Sequence, residues 1–295
     1  MTNIISILAS TVVLGAIYAL VAIGMTLIYG ILRVLDMSQG SMVMVGGFIG
    51  WAILTNAGLS PVIAILAAFG ATFVLGMLTQ LLSVQPLIGR RGVDFEMVTF
   101  ITTFAVAMVL ENLALQIFGA QQHSVPPIVG GNLHLYKSVS VPWQSVLMAG
   151  ISVAIIVAFG AFLTRSRYGI AIRAVAQDID AARMMGVPIR RLFPIVMGFA
   201  SALAGIAGVF LAAQYFASPT AGEQPLLIAL IVVVFGGLGS LPGTIYAAFA
   251  IALIQSAVSV WISTTWSLPI LYAVILVVLV IRPQGLAGRK LEVRL

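Results

Sequence analysis

Long apolar runs alternate with short polar stretches along the whole chain. The apolar runs cover approximately residues 4–30, 42–54, 61–82, 96–118, 143–164, 192–216, 225–262 and 267–281. About 20 apolar residues cross the hydrocarbon core of a bilayer as one helix, so most of these runs are long enough to span a membrane. The pattern predicts an all-α, polytopic bundle of transmembrane helices with about eight to nine membrane segments, broken or re-entrant in places. We expect a single domain over residues 1–295.

The run at residues 225–262 is longer than one span requires. It is interrupted by the sequence GGLGSLPG at residues 236–243, and glycine and proline at this density stop a helix. The run is therefore either a tight hairpin of two spans or a re-entrant pair that meets at mid-depth. The sequence does not choose between these two arrangements.

The composition supports a membrane protein. Only 7% of the 295 residues are charged and 61% are hydrophobic, whereas about 25% of a typical soluble domain is charged. The chain contains no cysteine, which excludes disulfides, thiol catalysis and cysteine-ligated metals. The net charge of +6 does not indicate nucleic acid as a partner, because the basic residues flank apolar spans, where they set topology.

The basic residues also predict an orientation. If residues 165–191 are cytoplasmic and the spans alternate, thirteen of the fourteen basic residues lie inside. Lys137 alone then lies outside, in the outer loop at residues 119–142. Cytoplasmic loops carry an excess of lysine and arginine, so we expect the N-terminus outside and the C-terminus in the cytoplasm. The run at 225–262 then contributes an even number of crossings.

Residues 165–191 form an island of charge. They contain Arg165, Arg167, Arg173, Arg183, Arg190, Arg191, Asp178 and Asp180. Each ionised side chain at the centre of a bilayer costs about 2.5–3.5 kcal/mol even on a mild insertion scale. This stretch must therefore lie in water or against another protein.

The same stretch has the signals of a short helix. Asp178 suits an N-cap, Asp180 the first turn, and Gly186 a left-handed ending, with Pro188 in the first turn of the next helix. Ile179, Ala182 and Met185 form an apolar stripe at helical spacing. Such a helix is suited to docking in a groove on a partner, although a solvated loop between two spans explains the same residues.

The same residues resemble the sequence signature of a known protein family. Asp180, Ala181 and Ala182, followed after three residues by Gly186, resemble the EAA–x3–G signature of ABC-importer permeases, with aspartate in place of glutamate. The wider string from Gly169 to Gly208 is similar to the branched-chain amino acid ABC transporter permease family. The similarity extends along the whole chain.

This resemblance implies a function for residues 165–191. In the family, the segment is the cytoplasmic coupling element that contacts the ATPase subunit. The ATPase-coupling residues implied here are Arg173, Gln177, Asp178, Asp180, Ala181, Ala182, Arg183 and Gly186.

The resemblance further implies an importer of several subunits in the inner membrane. Its other parts are a second related permease, two cytoplasmic ATPase subunits that use ATP and Mg²⁺, and a periplasmic or surface-tethered substrate-binding protein. The expected substrates are branched-chain or related amino acids, not distinguishable from other amino acids, amides or urea. We expect this chain to bind no cofactor, metal or nucleic acid and to have no catalytic residue.

The residues themselves exclude several chemistries. A P-loop requires Gly-Lys-Ser/Thr, but Lys137 follows Tyr136 and Lys290 follows Arg289, so the chain has no such ATP site. His123 and His134 lie in one outer loop without metal-ligand spacing.

Glu111 is interpreted as the clear ionisable residue at membrane depth. We expect it to hydrogen-bond a neighbouring helix rather than to serve a proton relay.

Two glycine-rich breaks remain, at residues 36–41 and 236–243. Broken helices at membrane depth often line a transport pathway, although tight turns between packed helices would also require glycine. The candidate translocation-path residues are Asp36, Gln39, Gly40, Ser41, Gly236, Gly237, Gly239, Ser240, Pro242 and Gly243. Gly46 and Gly50 form a GxxxG pair, which permits close helix packing but also arises by chance in a glycine-rich membrane protein.

Two rival functions stay open from the residues alone. One is a secondary carrier or facilitator for a small polar solute that acts without ATPase subunits. The other is a membrane scaffold without transport function. The scarcity of buried carboxylates disfavours the carrier, because proton-coupled carriers usually place ionisable residues at depth.

Overall fold

The computed structural model describes residues 2–88, 94–126, 131–136 and 139–281. The helices within these ranges are α1 (Thr2–Leu32), α2 (Gln39–Trp51), α3 (Pro61–Thr79), α4 (Phe95–Phe118), α5 (Trp143–Arg165), α6 (Arg167–Gln177), α7 (Ile179–Met184), α8 (Ile189–Gln214), α9 (Glu223–Gly236), α10 (Leu241–Trp261) and α11 (Ser267–Ile281). The π-helical turns Ala52–Asn56 and Gln80–Val84 extend α2 and α3.

Six of the described helical segments are long and apolar enough to cross a membrane, and three shorter apolar helices accompany them. The shorter ones are Gln39–Thr55, Glu223–Gly236 and Ser267–Val278. The chain is therefore a multi-pass membrane protein, as the apolar runs predict. The count of eight to nine segments and the orientation of the two termini stay predictions.

The loop region at residues 119–142 adds a short hairpin to the otherwise helical fold. It contains β1 (Asn132–Tyr136) and β2 (Val139–Pro142), which pair in an antiparallel hairpin. The hairpin was missed because its strands are only five and four residues long. Such short segments give a weak periodic signal beside spans of more than 20 residues.

The centre of the bundle is formed by α8 and α1. In α8, 83% of the apolar window is buried within the chain, compared with 22% in α4 and 28% in α5. Helices α2 and α3 pack against α8, and α10 packs along α1. The apolar surfaces of α4 and α5 are left for lipid or for another subunit, because nothing else in the described chain covers them.

Candidate functional site

The first break lies between α1 and α2. Helix α1 ends at Leu32, the next residue Arg33 has a φ of 56°, and α2 begins at Gln39. Asp36 is fully buried in this break. Its carboxylate accepts hydrogen bonds from the Ser38 backbone N–H at 2.9 Å, the Ser38 hydroxyl at 2.7 Å and the Gln39 amide at 3.3 Å.

Asp36 therefore places a carboxylate at the start of α2, where the helix dipole favours an anion. No basic side chain forms an ion pair with it within the described residues. Asp36 is more deeply buried within the chain than Glu111, whereas the depth of Glu111 in the membrane stays a prediction. Glu111 is half-buried, and its side-chain carboxylate makes no hydrogen bond to any described residue.

The other residues of this break are also buried. The Ser41 hydroxyl donates to the Ser38 backbone carbonyl at 2.8 Å, whereas the side-chain amide oxygen (Oε1) of Gln39 has no hydrogen-bond partner among the described residues. A Cβ at Gly40 would lie 2.9 Å from the Gly222 carbonyl oxygen. The starts of α2 and α9 are therefore side by side, and only glycine permits this approach.

The second break is a tight turn between α9 and α10. Gly237 and Gly239 have φ values of 93° and 83°, a region that glycine adopts at no steric cost. Ser240 is the N-cap of α10 and accepts from the Gly243 backbone N–H at 3.3 Å, with Pro242 in the first turn. Gly236 packs against the backbone of Gly243.

Gly40 in the first break contacts Gly222 at the start of α9, whereas the second break follows the end of α9. The 14 residues of α9 separate Gly40 from the second break by about 21 Å. The α1 side of the first break is closer, because a Cβ at Gly30, three residues before Arg33, would be 3.7 Å from the Gly239 Cα. The assignment of both sets to a translocation path stays a prediction.

A third irregular segment, at residues 217–222, was not recognised from the sequence. Ala217, Ser218 and Pro219 are buried, and Ala217 exchanges two backbone hydrogen bonds with His123 at 2.8 and 2.9 Å. Irregular backbone at membrane depth is tolerated where protein or a watery cavity surrounds it. The Ser-Pro-Thr-Ala-Gly sequence at 218–222 was the available signal.

Two cavities lie at the end of α8, and the second of them borders this segment. The first cavity, of about 310 Å³, lies between α1, β2, α5, α10 and the end of α8; its walls include Ser10, Ser145 and Ser256. The second cavity, of about 440 Å³, reaches Ala221 and Gln224 at the start of α9. The serine spacing within the apolar runs of α1 and α10 was the sequence signal for the first cavity.

The charged segment folds as two capped helices. The Ser166 hydroxyl accepts from the Gly169 N–H at 2.8 Å and begins α6. Asp178 accepts from the N–H groups of Asp180 and Ala181 at 2.9 and 3.0 Å and begins α7. The predicted Asp178 cap is therefore confirmed, as is the left-handed Gly186, whose φ is 83°. Pro188 lies one residue earlier than predicted, at the N-cap of α8.

The faces of α7 differ from the predicted apolar stripe. Ala182 is 4% exposed and packs in the chain's own core with Ile172 and Val175 of α6. Met184 and Met185 are 83% and 85% exposed. The predicted stripe is therefore divided, since Ala182 faces the core and Met185 faces outward. Met184 and Met185 together form the outward apolar surface of α7.

The remaining coupling candidates lie at the surface of the segment, except Ala181, which is half-buried. Arg183 and Asp180 lie 3.9 Å apart as an exposed i,i+3 pair. The Arg173 guanidinium donates to the Thr164 carbonyl at 3.2 Å, which links α6 to the end of α5. Gln177 and Gly186 are exposed. The contact of these residues with an ATPase stays a prediction.

The histidines do not form a metal site in the described structure. The His123 ring packs against Trp51 with a centroid distance of 4.3 Å, which confirms that His123 is a loop residue packed on the bundle. The side chain of His134 lies outside the described residues. Within those residues, no three His, Cys, Asp or Glu side chains are grouped as a metal ion would require.

Several basic residues used to predict the orientation lie outside the described part of the chain. They are Arg90, Arg91, Lys137, Arg282, Arg289, Lys290 and Arg294. The orientation therefore depends on the sequence pattern alone.

The broken helices, the packed core and the capped α6–α7 segment define a multi-pass protein of the transporter type. The family model for the branched-chain amino acid transport system permease component matches residues 7–279. The chain belongs to this family, as the sequence resemblance predicts.

Individual relatives match over nearly the full length. The chain is 25% identical to the high-affinity branched-chain amino acid transport system permease protein BraD of Pseudomonas aeruginosa, over 96% of this chain and 95% of the relative. It is 25% identical to LivH, the corresponding permease protein of Escherichia coli, over 94% and 93%. It is 26% identical to the fructose import permease protein FruF of Bifidobacterium longum, over 90% and 74%.

Proposed function

We propose that the chain is the transmembrane permease subunit of an ABC importer that carries branched-chain or related amino acids across the inner membrane. The chain has no ATP site of its own in this proposal. Two cytoplasmic ATPase subunits bind ATP and Mg²⁺ and supply the energy. A second related permease and a periplasmic or surface-tethered substrate-binding protein complete the importer, and the whole chain acts as one permease domain.

The capped helix α7 is the observation that supports this proposal best. Its buried side chain, Ala182, fixes the helix to the core, while Met184, Met185, Asp180 and Arg183 extend outward. A short, rigidly anchored helix with an apolar and charged outer surface suits a groove on a partner protein. A solvated loop would have no need to anchor one face and expose two adjacent methionines.

The packing of α7 also provides a route for motion. Ala182 and Val175 belong to the same core cluster as Leu192 of α8 and the side chains of α1. Closure of the ATPases would displace α7, and contiguous packing would transmit this displacement to the central helices. The permease thereby converts ATP-driven closure into a rearrangement of the bundle around the transported solute.

Reconstitution in vesicles tests the proposal. The chain, its sibling permease, the ATPases and the binding protein should together accumulate L-leucine against its gradient, and omission of ATP or of the ATPases should abolish this uptake. If the chain alone accumulates solute and a protonophore dissipates the accumulation, the proposal is wrong and the chain is a secondary carrier.

A further inference from the structure

The two polar cavities adjoin each other at one end of the bundle. The first cavity contacts the N-terminal part of α1 at Ser6 and Ser10, and the second reaches the start of α9. Tyr215 and Gln255 contribute to the walls of both. A small molecule in the first cavity would therefore touch the same side chains that border the second.

The walls of both cavities combine polar and apolar side chains and contain no charged one. The first is lined by sixteen residues and the second by fifteen, and none of them is Asp, Glu, Lys, Arg or His. A solute with a net charge would lose its hydration there without gaining an ion pair, which is costly. A zwitterion has no net charge, and the hydroxyl and amide groups of the walls offer hydrogen-bond donors for its carboxylate and acceptors for its ammonium group.

One wall residue lacks a partner of its own. Ser256 is 3% exposed, lines the first cavity, and its hydroxyl makes no hydrogen bond to any described residue. Buried hydroxyl groups are ordinarily paired. The Ser256 oxygen is itself inaccessible, so a ligand in the cavity would pair with it only if the Ser256 side chain turned toward the cavity.

Two glutamines in the cavity walls are held in place by hydrogen bonds to neighbouring side chains. The Gln255 amide oxygen accepts from the Tyr18 hydroxyl at 2.9 Å, and the Gln214 amide oxygen accepts from the Ser145 hydroxyl at 3.0 Å. These bonds fix both side chains and leave their NH₂ groups as donors. Fixed donors bind a ligand at a lower entropic cost than mobile ones.

We propose that the two cavities form one recognition site for a neutral amino acid in its zwitterionic form, with Gln255 as a contact residue between them. This inference rests on the proposed function as an importer permease. The hydroxyl and amide donors bind the carboxylate, and the aliphatic residues Val13, Leu14 and Val260 of the first cavity suit an apolar side chain. The volume of 310 Å³ is within the range of about 300–1,000 Å³ found for ligand pockets.

Cysteine protection tests this site directly, because the native chain contains no cysteine. The variants Ser10→Cys and Ser259→Cys each place one accessible thiol on the cavity wall. Thr265→Cys is the matched control, since Thr265 is exposed and lines neither cavity. A small, membrane-impermeant methanethiosulfonate reagent is applied in vesicles from the side that carries the N-terminus of α1.

L-leucine should slow the labelling of both cavity variants and leave the labelling of Thr265→Cys unchanged. At a leucine concentration of about ten times its Kd, labelling should slow about tenfold, because only the unoccupied site reacts. L-glutamate and L-lysine should have no effect. Equal protection by these charged amino acids would overturn the assignment to neutral solutes.

A kinetic variant gives an independent readout in the assembled importer. Gln255→Leu should raise the KM for leucine about tenfold while kcat stays within about twofold. This pattern is expected when the lost contact binds the ground state and the transition state equally well. Gln121→Leu is the control, since Gln121 is exposed and lines neither cavity. Unchanged KM in the Gln255 variant would contradict the site.

The two proposals fail in different ways. If the assembled importer transports leucine with ATP but leucine protects neither cavity thiol, the recognition site is wrong and the permease function stands. If the assembly shows no ATP-dependent transport, the proposed function is wrong and the recognition site fails with it.

Discussion

The backbone of Gly46 in α2 lies against the backbone of Gly205 in α8. A Cβ at Gly46 would be 2.6 Å from the Gly205 Cα, which is closer than non-bonded atoms approach. One turn further along, Gly50 packs against Val209 at a hypothetical Cβ distance of 3.0 Å. The GxxxG pair is therefore confirmed as a close helix contact, in agreement with the role of small residues in membrane bundles.

Substitution of Gly46 tests this contact. Gly46→Ala should lower the free energy of unfolding by about 1–3 kcal/mol, because overpacking forces the two backbones apart. Gly70→Ala is the matched control, since a Cβ at Gly70 meets nothing within 4 Å; it should be neutral or stabilising. Thermal unfolding of both variants in nanodiscs measures the difference, and equal melting temperatures would contradict the packing.

Asp36 should stabilise the entry to α2 through its hydrogen bonds. Asp36→Ala removes the acceptor for the Ser38 and Gln39 donors, and we expect a loss of at least about 2 kcal/mol because these donors stay buried. Asp36→Asn should lose less, since its amide oxygen still accepts from Ser38. Denaturant unfolding compares the two variants. Equal losses would show that the hydrogen bonds of Asp36 are unimportant.

The exposed methionines should contribute to ATPase binding. The double variant Met184→Ser with Met185→Ser removes the outward apolar surface of the segment, and we expect it to lower ATPase co-purification while the permease stays folded. Met97→Ser is the control, because Met97 is 62% exposed and lies on α4. Full retention of the ATPase by the double variant would exclude the methionines from the contact.

The two aspartates near the start of α7 should differ in their effects. Asp178→Ala removes the N-cap and should destabilise α7 by about 1 kcal/mol. Asp180→Ala removes only an exposed pair with Arg183 and should change stability by less than about 0.5 kcal/mol. Hydrogen exchange of the α7 amides reports the local stability. Faster exchange in the Asp180 variant than in the Asp178 variant would reverse this assignment.

Ala182 shows how far local sequence signals extend. The caps at Asp178 and Gly186 were predictable, because a cap depends on residues within one turn of each other. The direction of Ala182 was not predictable. It faces the chain's own core because α7 packs on α6, whose Ile172 and Val175 belong to the same buried cluster, so a bulky Trp at position 182 would overpack the core rather than only disturb a partner.

The depth of Asp36 is another feature that the sequence left open. Asp36 follows Arg33 in a polar stretch between two apolar runs, which is equally typical of a loop at the membrane surface. Its burial depends on the packing of the adjoining α2 against α8 and α9. The cavities were hidden for the same reason, since residues as distant as Ser10, Ser145 and Ser256 form one wall.

The sequence by itself determined that the chain is a helical membrane protein, which family it resembles, and where the short charged helix α7 begins and ends. Apolar run length and helix capping are local properties, so the sequence expresses them directly. Only the tertiary structure decided which breaks meet, which side of α7 is exposed, and that uncharged polar side chains enclose two cavities. These features depend on which helices become neighbours, and that choice is made by packing between residues far apart in the chain.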